Sequence, residues 1–339
     1  VPPASRAFKS AGFAFMRSGW DSDATCVVLD TSWQGSGHWH AGKPNLVIHS
    51  AGVRLACEHE YATYDDPWLW KYFHHARAHN TVMVDGEGDG VPDNFWTFSH
   101  ISNPVLESFS AGRGADIARA YTDGFKRMNP PVTFERTVVF VKPDLVFVHD
   151  VLNSRSERDY EWLLHLTPQT PVSDSRENSL LTRTGHDVEM FCCPMPGSEA
   201  GLKGPLLRKG RFTAGRDGIS VRPQRGEASG LYVEAPYAVW RKRAAGRITF
   251  DFMIRMLRDS GENPVVKRLQ VNTNGCASAF HAELDGLEAV ILFDDRRSSK
   301  RSALRAGGYS LSGRAGVAVV LSGKTETVTD GKLLSADSR

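Results

Sequence analysis

No Cys-x-x-Cys pair occurs in this sequence, and its five cysteines, Cys26, Cys57, Cys192, Cys193 and Cys276, are odd in number and irregular in spacing. That pattern excludes a disulfide framework and a zinc ribbon. No run of eighteen apolar residues occurs, so no segment reads as a membrane-spanning helix. Charge of one sign is also missing. Lys and Arg number 41 against 39 Asp and Glu, a net charge of +2, which supplies no general field for nucleic acid. Basic residues gather only locally after residue 200, in RKGRF, VRPQRG, WRKRAAGR and DDRRSSKRSALR. Such clusters are either solvated surface or a track for an anionic polymer. Helical periodicity is nearly absent. An initiating Met and a signal peptide are lacking too, and residues 1–11 read as a linker from a longer polypeptide running into a strand.

What the sequence does contain is strand. GFAFMRS, TCVVLDT, NLVIHS, VRLACE, NTVMVDG, YEWLLHLTP, VEMFCC, GLYVEAPYAVW, RITFDFMIRML, LEAVILFDD and GVAVVLSG are short, β-branched or aromatic, and bounded by turn residues. FERTVVFVKPDLVFVHDVL is the clearest hairpin, turning at Lys142-Pro143-Asp144. The exception is DDPWLWKYFHHARAHN, where Asp65, Asp66 and Pro67 suit a helix start. Many short strands without βαβ alternation predict an all-β protein, a large antiparallel β-sandwich. The expected division is a main sandwich over 12–255 and a smaller second β layer or subdomain over 256–339. The Gly- and Pro-rich stretch near 195–230 reads as an excursion or boundary.

Chemistry concentrates in GHWHAGKPNLVIHSAGVRLACEHEY, residues 37–61, and YFHHARAHNTVMVDG, residues 72–86, which hold seven of the twelve histidines. Zinc takes neutral imidazole nitrogen and carboxylate oxygen in tetrahedral array, and His40, Glu58 and His79 form such a set. The plain alternative for each histidine is a hydrogen-bonded, partly buried side chain, and for His74 and His75 a surface position. Trp33, Trp39, Trp68 and Trp70 suit stacking on sugar rings or, as plainly, packing.

GHxHA followed by AHNTVMVDG, with RTVVFVKPDLVFVHDVL and WLLHL further on, resembles the heparinase II/III-like polysaccharide lyases over roughly residues 10–170. The resemblance implies that the chain is the C-terminal β-sandwich of a lyase. Its substrate would be an acidic, uronate-containing glycan of glycosaminoglycan or alginate type, cleaved by β-elimination outside the cytoplasm, in the periplasm or in the medium. It implies a structural Zn2+ held by His40, Glu58 and His79, and His38 in the substrate cleft as a catalytic base. A loop tyrosine would take part in proton transfer, with Tyr61, Tyr64 and Tyr72 competing and Tyr64 and then Tyr72 favoured. Trp39, Lys71 and Arg77 would bind substrate, and an N-terminal (α/α) toroid would complete the cleft as a partner domain. The sequence departs from the family's HxHAD at Gly42, carries Glu58 where an aspartate is usual, and has His59-Glu60 in place of Pro-Gly. The other readings carried forward are a non-catalytic carbohydrate-binding scaffold and a uronyl epimerase.

Overall fold

The computed structural model describes residues 4–33, 40–57, 69–94, 96–167, 172–174, 178–183, 188–213, 232–258, 263–273, 276–284, 286–296 and 302–335. They form antiparallel sheets packed face to face. The first is a five-stranded meander of Arg6–Phe8, Phe13–Arg17, Cys26–Asp30, Asn45–Ser50 and Val53–Ala56. Arg6–Phe8 lies in the segment read from sequence as a linker, yet it pairs with Phe13–Arg17, Phe8 opposite Phe13.

The central sheet is built on two unusually long strands, Leu145–His165 and Tyr232–Arg258; the first pairs with residues 237–255 of the second, with a register shift between Ser154 and Arg158. Each joins two segments that look separate in sequence. The exposed polar stretch around residues 153–159 interrupts the apolar pattern without ending the strand. Thr133–Val141 and Ala115–Thr122 extend the sheet on one side, and Val188–Pro194 on the other. Lys203–Thr213, inside the stretch expected to be an excursion, is a strand paired with the first half of Tyr232–Arg258.

Both faces of the central sheet are buried. Val138, Phe140, Val146, Val148, Phe250 and Phe252 pack with Met16, Leu29, Leu46 and Ile48 of the meander. Val139, Val141, Phe147 and Met253 pack the opposite way against Phe280, Ile291, Phe293 and Val317. This explains why VVFV and LVFV are continuous apolar runs: alternate side chains feed two different cores. A further five-stranded sheet, from Val265–Arg268 to Lys324–Thr329, supplies the second of those cores. A three-stranded sheet of Leu304–Ala306, Tyr309–Ser312 and Lys332–Ser335 covers its outer side through Leu304, Leu311 and Leu333. Among the described residues of the histidine segments and the stretch joining them, the helical content is one π-helical turn, Leu69–Phe73, and one 3-10 turn, Ala76–Ala78.

Candidate functional site

Three segments meet at one end of the central sheet: His40–Asn45, Phe73–Thr81 and the start of a hairpin near Asp89. The first two are joined by Ala41 N–H donating to the His74 carbonyl at 2.9 Å. Gly42 permits their approach. Its φ is +102°, and a Cβ there would lie 2.8 Å from His79 Cδ2 and 2.9 Å from His79 Cβ. Gly42 therefore cannot carry the acid that the family pattern has at this position. A carboxylate reaches the same backbone from elsewhere. Asp89, buried, accepts from Gly42 N–H at 2.5 Å and Lys43 N–H at 3.2 Å, while its other oxygen accepts from Ser102 Oγ at 2.5 Å.

The imidazoles converge. His40 and His79 ring centroids are 5.2 Å apart, and His40 and His74 are 4.8 Å apart. His74, expected at the surface, is fully buried, with Phe98 stacked on it at 6.2 Å. His79 is fully buried as well, and its Nε2 lies 2.9 Å from the Phe73 carbonyl. A carbonyl only accepts, so Nε2 carries the proton there, and in the neutral ring Nδ1 keeps the lone pair.

Asn80, the next residue, staples the site to the sheets. Its N–H donates to Asn45 Oδ1 at 2.9 Å, and its Nδ2 donates to the Leu46 and Cys57 carbonyls at 2.7 and 3.0 Å. Its Oδ1 accepts from His165 N–H at 2.6 Å. Beneath lies Arg136, fully buried, whose Nη1 donates to the Asn80 carbonyl at 2.6 Å and the Pro44 carbonyl at 3.0 Å. Its other edge grips Asp150, which also accepts from Trp162 Nε1 at 2.9 Å. One buried cation thus holds the backbone of both histidine segments.

Of the residues expected from sequence to bind metal, His40 and His79 come together. Two imidazoles sharing a tetrahedral zinc ion would place their centroids about 5 Å apart, and the Nε2–H to carbonyl bond of His79 is the usual orienting partner of a ligand histidine. Glu58, His38, Trp39, Tyr61, Tyr64 and Trp68 lie outside the described residues. Among the described residues no group of three or more His, Cys, Asp or Glu side chains is set to hold a metal ion. Tyr72 is half-buried, with its hydroxyl shielded against Gly210 of the strand Lys203–Thr213; a Cβ on Gly210 would lie 2.6 Å from that oxygen. Lys71 is exposed. Arg77 is partly exposed and reaches Glu161 at 3.3 Å, a carboxylate that Arg241 also grips. Trp33 is exposed, not packed. Beside the site, His100 is held below its ordinary pKa by burial and by Arg127.

Sequence reasoning missed His74, Asp89, Asn80 and the Arg136–Asp150 pair. For the last a signal exists. Arg136 and Asp150 stand seven residues either side of Pro143, so the predicted hairpin already sets them opposite each other.

The heparinase II/III-like, C-terminal family description matches residues 1–223. The chain belongs to that family. No curated protein matches. Among solved structures, the heparan sulfate lyase HepC of Pedobacter heparinus is similar to this heparinase-like chain with a TM-score of 0.66 at 14% identity, over 99% of this chain and 43% of that one. A heparinase III structure is similar with a TM-score of 0.65 at 13% identity, over 86% of this chain and 42% of that one. Identities this low establish a shared fold. This heparinase-like chain spans less than half the length of those neighbours. Among the described residues no helix is long and apolar enough to cross a membrane.

Proposed function

We propose that the chain is the β-sandwich part of a polysaccharide lyase that cleaves uronate-containing acidic glycans by β-elimination. The observation that carries this reading is the approach of the His40 and His79 rings to 5.2 Å in a chain of the heparinase II/III-like family. In the reaction a base takes the proton from C5, the bond from C4 to the glycosidic oxygen breaks with its electron pair leaving on oxygen, a C4–C5 double bond forms, and an acid protonates the departing oxygen. The sugar carboxylate must be neutralised first, so that C5–H becomes acidic enough to lose. His38 is assigned as base. Tyr64 is assigned as the proton-transferring tyrosine in preference to Tyr72, because a hydroxyl shielded against Gly210 is badly placed to meet a substrate.

Zn2+, held by His40, His79 and Glu58, would supply structural rigidity to the cleft wall. Support comes from the centroid spacing and from the Phe73 carbonyl that leaves His79 Nδ1 as the donor. Lys71, Arg77 and Trp39 are assigned to glycan binding, Arg77 for its planar fork on carboxylate or sulfate. An N-terminal (α/α) toroid, in the same or another chain and expected from family likeness, would close the cleft. A substrate of this size and charge places the protein in the periplasm or outside the cell.

The test is absorbance near 232 nm, from the unsaturated uronate, when the natural full-length polypeptide is mixed with heparan sulfate, chondroitin and alginate in turn. A rise supports the lyase. Solvent deuterium appearing at C5 without a rise replaces it with an epimerase, and binding with neither leaves a scaffold.

A further inference from the structure

The basic run WRKRAAGR, residues 240–247, is open to two readings in sequence, and the structure takes it apart residue by residue. Lys242 turns inward, its Nζ donating to the Ser198 and Thr249 carbonyls at 2.8 and 2.7 Å. Arg243 lies outside and is matched by two carboxylates, Glu157 at 2.8 Å and Asp159 at 3.0 Å. Arg247 reaches Asp295. Arg241 has to share. Its Nη2 donates to Glu161 Oε1, while the other oxygen of Glu161 accepts from Arg77 Nη1 at 3.3 Å.

Two guanidiniums on one carboxylate leave an excess of positive charge. Glu161 is buried, and among the described residues neither arginine has another acidic partner. Lys203, exposed, adds to the excess: it stands directly opposite Arg241 in the pairing of Lys203–Thr213 with Tyr232–Arg258 and makes no ion pair among the described residues. Like charges facing each other across a strand pair destabilise it. A partly buried cation without a counter-charge of its own is costly too. An anion from outside would relieve both. A guanidinium carries five N–H donors in a planar fork, and each of these two gives only one to Glu161. The side chains of Arg77 and Arg241 are 37% and 42% exposed, which leaves donors within reach of a ligand.

The place is next to the histidines. Glu161, Leu163 and His165 share one face of their strand, and on that face Met83, Leu163, Tyr237 and Val239 pack with Ala76. The turn Ala76–Ala78 therefore lies against the sheet here. The Arg77 carbonyl accepts from His165 Nε2 at 2.9 Å. Arg77 is two residues from His79, which keeps their Cα atoms within about 7 Å of each other.

We propose that Arg77 and Arg241, joined by the shared Glu161, form a subsite for one anionic group of the glycan, a sulfate or a carboxylate, beside the histidine pocket. The identity of the ligand rests on the glycan reading above. Planar forks match the paired oxygens that such a group presents.

The experiment uses the natural full-length polypeptide, with hexasaccharides of heparan sulfate and of alginate as probes and calorimetric Kd at several salt concentrations as the readout. Arg241→Gln weakens Kd about tenfold, the scale of a lost charge-assisted contact, and makes its salt dependence shallower. Arg77→Gln does the same. Arg241→Lys, which keeps the charge and gives up the fork, loses less. Arg243→Gln removes an equal charge two residues away that already has its carboxylates, and leaves Kd within about twofold. A loss on alginate, which carries carboxylates alone, assigns the subsite to carboxylate; a loss confined to heparan sulfate assigns it to sulfate. Either supports the proposal. Unchanged Kd in Arg241→Gln overturns it, and so does an equal loss in Arg243→Gln, because surface charge alone would then account for binding. A parent that binds neither probe overturns it as well. Arg241-dependent binding without any 232 nm product keeps this inference and removes the lyase reading. Product formation that is indifferent to Arg241 does the reverse.

Discussion

Arg136 and Asp150 form a two-pronged ion pair with no solvent on either side chain, Nε to Oδ1 at 2.7 Å and Nη2 to Oδ2 at 2.6 Å. Their register across the hairpin is direct, and the pair leaves Nη1 for the Pro44 and Asn80 carbonyls. Removing one partner strands a buried charge. Asp150→Ala is expected to lower unfolding free energy by about 3–5 kcal/mol. Arg136→Met, which removes the cation, should cost stability on the same scale and also loosen both histidine segments. Denaturant titration measures the first effect; proteolytic nicking around residues 73–81 measures the second. A loss below about 1 kcal/mol, the range of an exposed pair, would contradict the description of this pair as structural.

Gly42 makes a sharper case, because the family pattern invites a misleading repair. Gly42→Asp restores the usual acid in sequence, yet its Cβ would meet the His79 ring at 2.8 Å from a backbone with φ of +102°. The expected result is destabilisation of about 1–3 kcal/mol or more for the strained backbone alone, with displacement of His79. Gly42→Ala should fall in the same direction. Thermal melting of the two variants decides it; an aspartate variant as stable as the parent would mean that Asp89 and Gly42 do not divide the role proposed for them here.

His79 carries the prediction about metal. Its alanine variant should lose bound zinc and part of the stability that metal binding contributes to folding. His38→Ala should lower turnover at full zinc content. Elemental analysis separates the two: full occupancy in His79→Ala would remove it from the ligand set, and lost metal in His38→Ala would exchange the roles of His38 and His40. His74→Ala is the added control, since its ring lies as close to His40 as that of His79 does.

The far side of the central sheet predicts a pH dependence. His149 is buried with Nδ1 on Asp251 and Nε2 at 3.0 Å from Asp295, and Arg247 reaches Asp295. Asp251 also accepts from Ser198 Oγ at 2.7 Å and Thr249 Oγ1 at 2.8 Å, while Lys242 lies close by on the Ser198 and Thr249 carbonyls. Burial lowers the pKa of His149, but Asp295 and Asp251 outweigh it and push the value up to about 10. Burial raises Asp251, and His149 with its hydrogen-bond partners overrides that and holds it well below the usual carboxylate range. A folded pKa above the unfolded 6.5 means that the histidine's contribution is full below pH 6.5 and is lost as pH climbs through about 10. The carboxylate's contribution is present above its unfolded 3.8 and disappears only as pH falls through its lower folded value. Stability should therefore decline by a few kcal/mol, order of magnitude, between neutral pH and about 10. His149→Gln should flatten that alkaline limb in urea titrations run at several pH values. An unchanged slope in the variant would assign the limb to other groups.

Strand content and antiparallel class were legible because alternation and turn residues are local properties. The two long strands were not. Residues 153–159 are polar and, apart from buried Ser154 and half-buried Arg158, exposed in the middle of Leu145–His165, so hydropathy breaks there although pairing with Tyr232–Arg258 resumes at Arg158. Lys203–Thr213 was hidden by its two glycines, its proline and its charges, which serve a strand that flanks the sheet. At the site, the nearness of His40 and His79 was legible from the motif, while that of His74 was not, because a histidine pair in sequence gives no hint of which ring turns inward. Asp89 was invisible for a different reason: it stands 47 residues from the Gly42 N–H it binds, a distance no local pattern spans.

The reach of family likeness and the reach of cooperative folding differ in this molecule. The family match stops at residue 223, whereas Tyr232–Arg258 lies between Leu145–His165 and Val188–Pro194 in the central sheet. A fragment cut at the end of the match would bare one edge of its longest remaining strand and orphan the strand beyond it. Ending at Arg258 would still leave Val139, Val141 and Phe147 facing water, since their cover comes from residues 280–328. Anyone expressing the histidine pocket by itself should carry the polypeptide through to the last described strand, Lys332–Ser335, or expect an insoluble product.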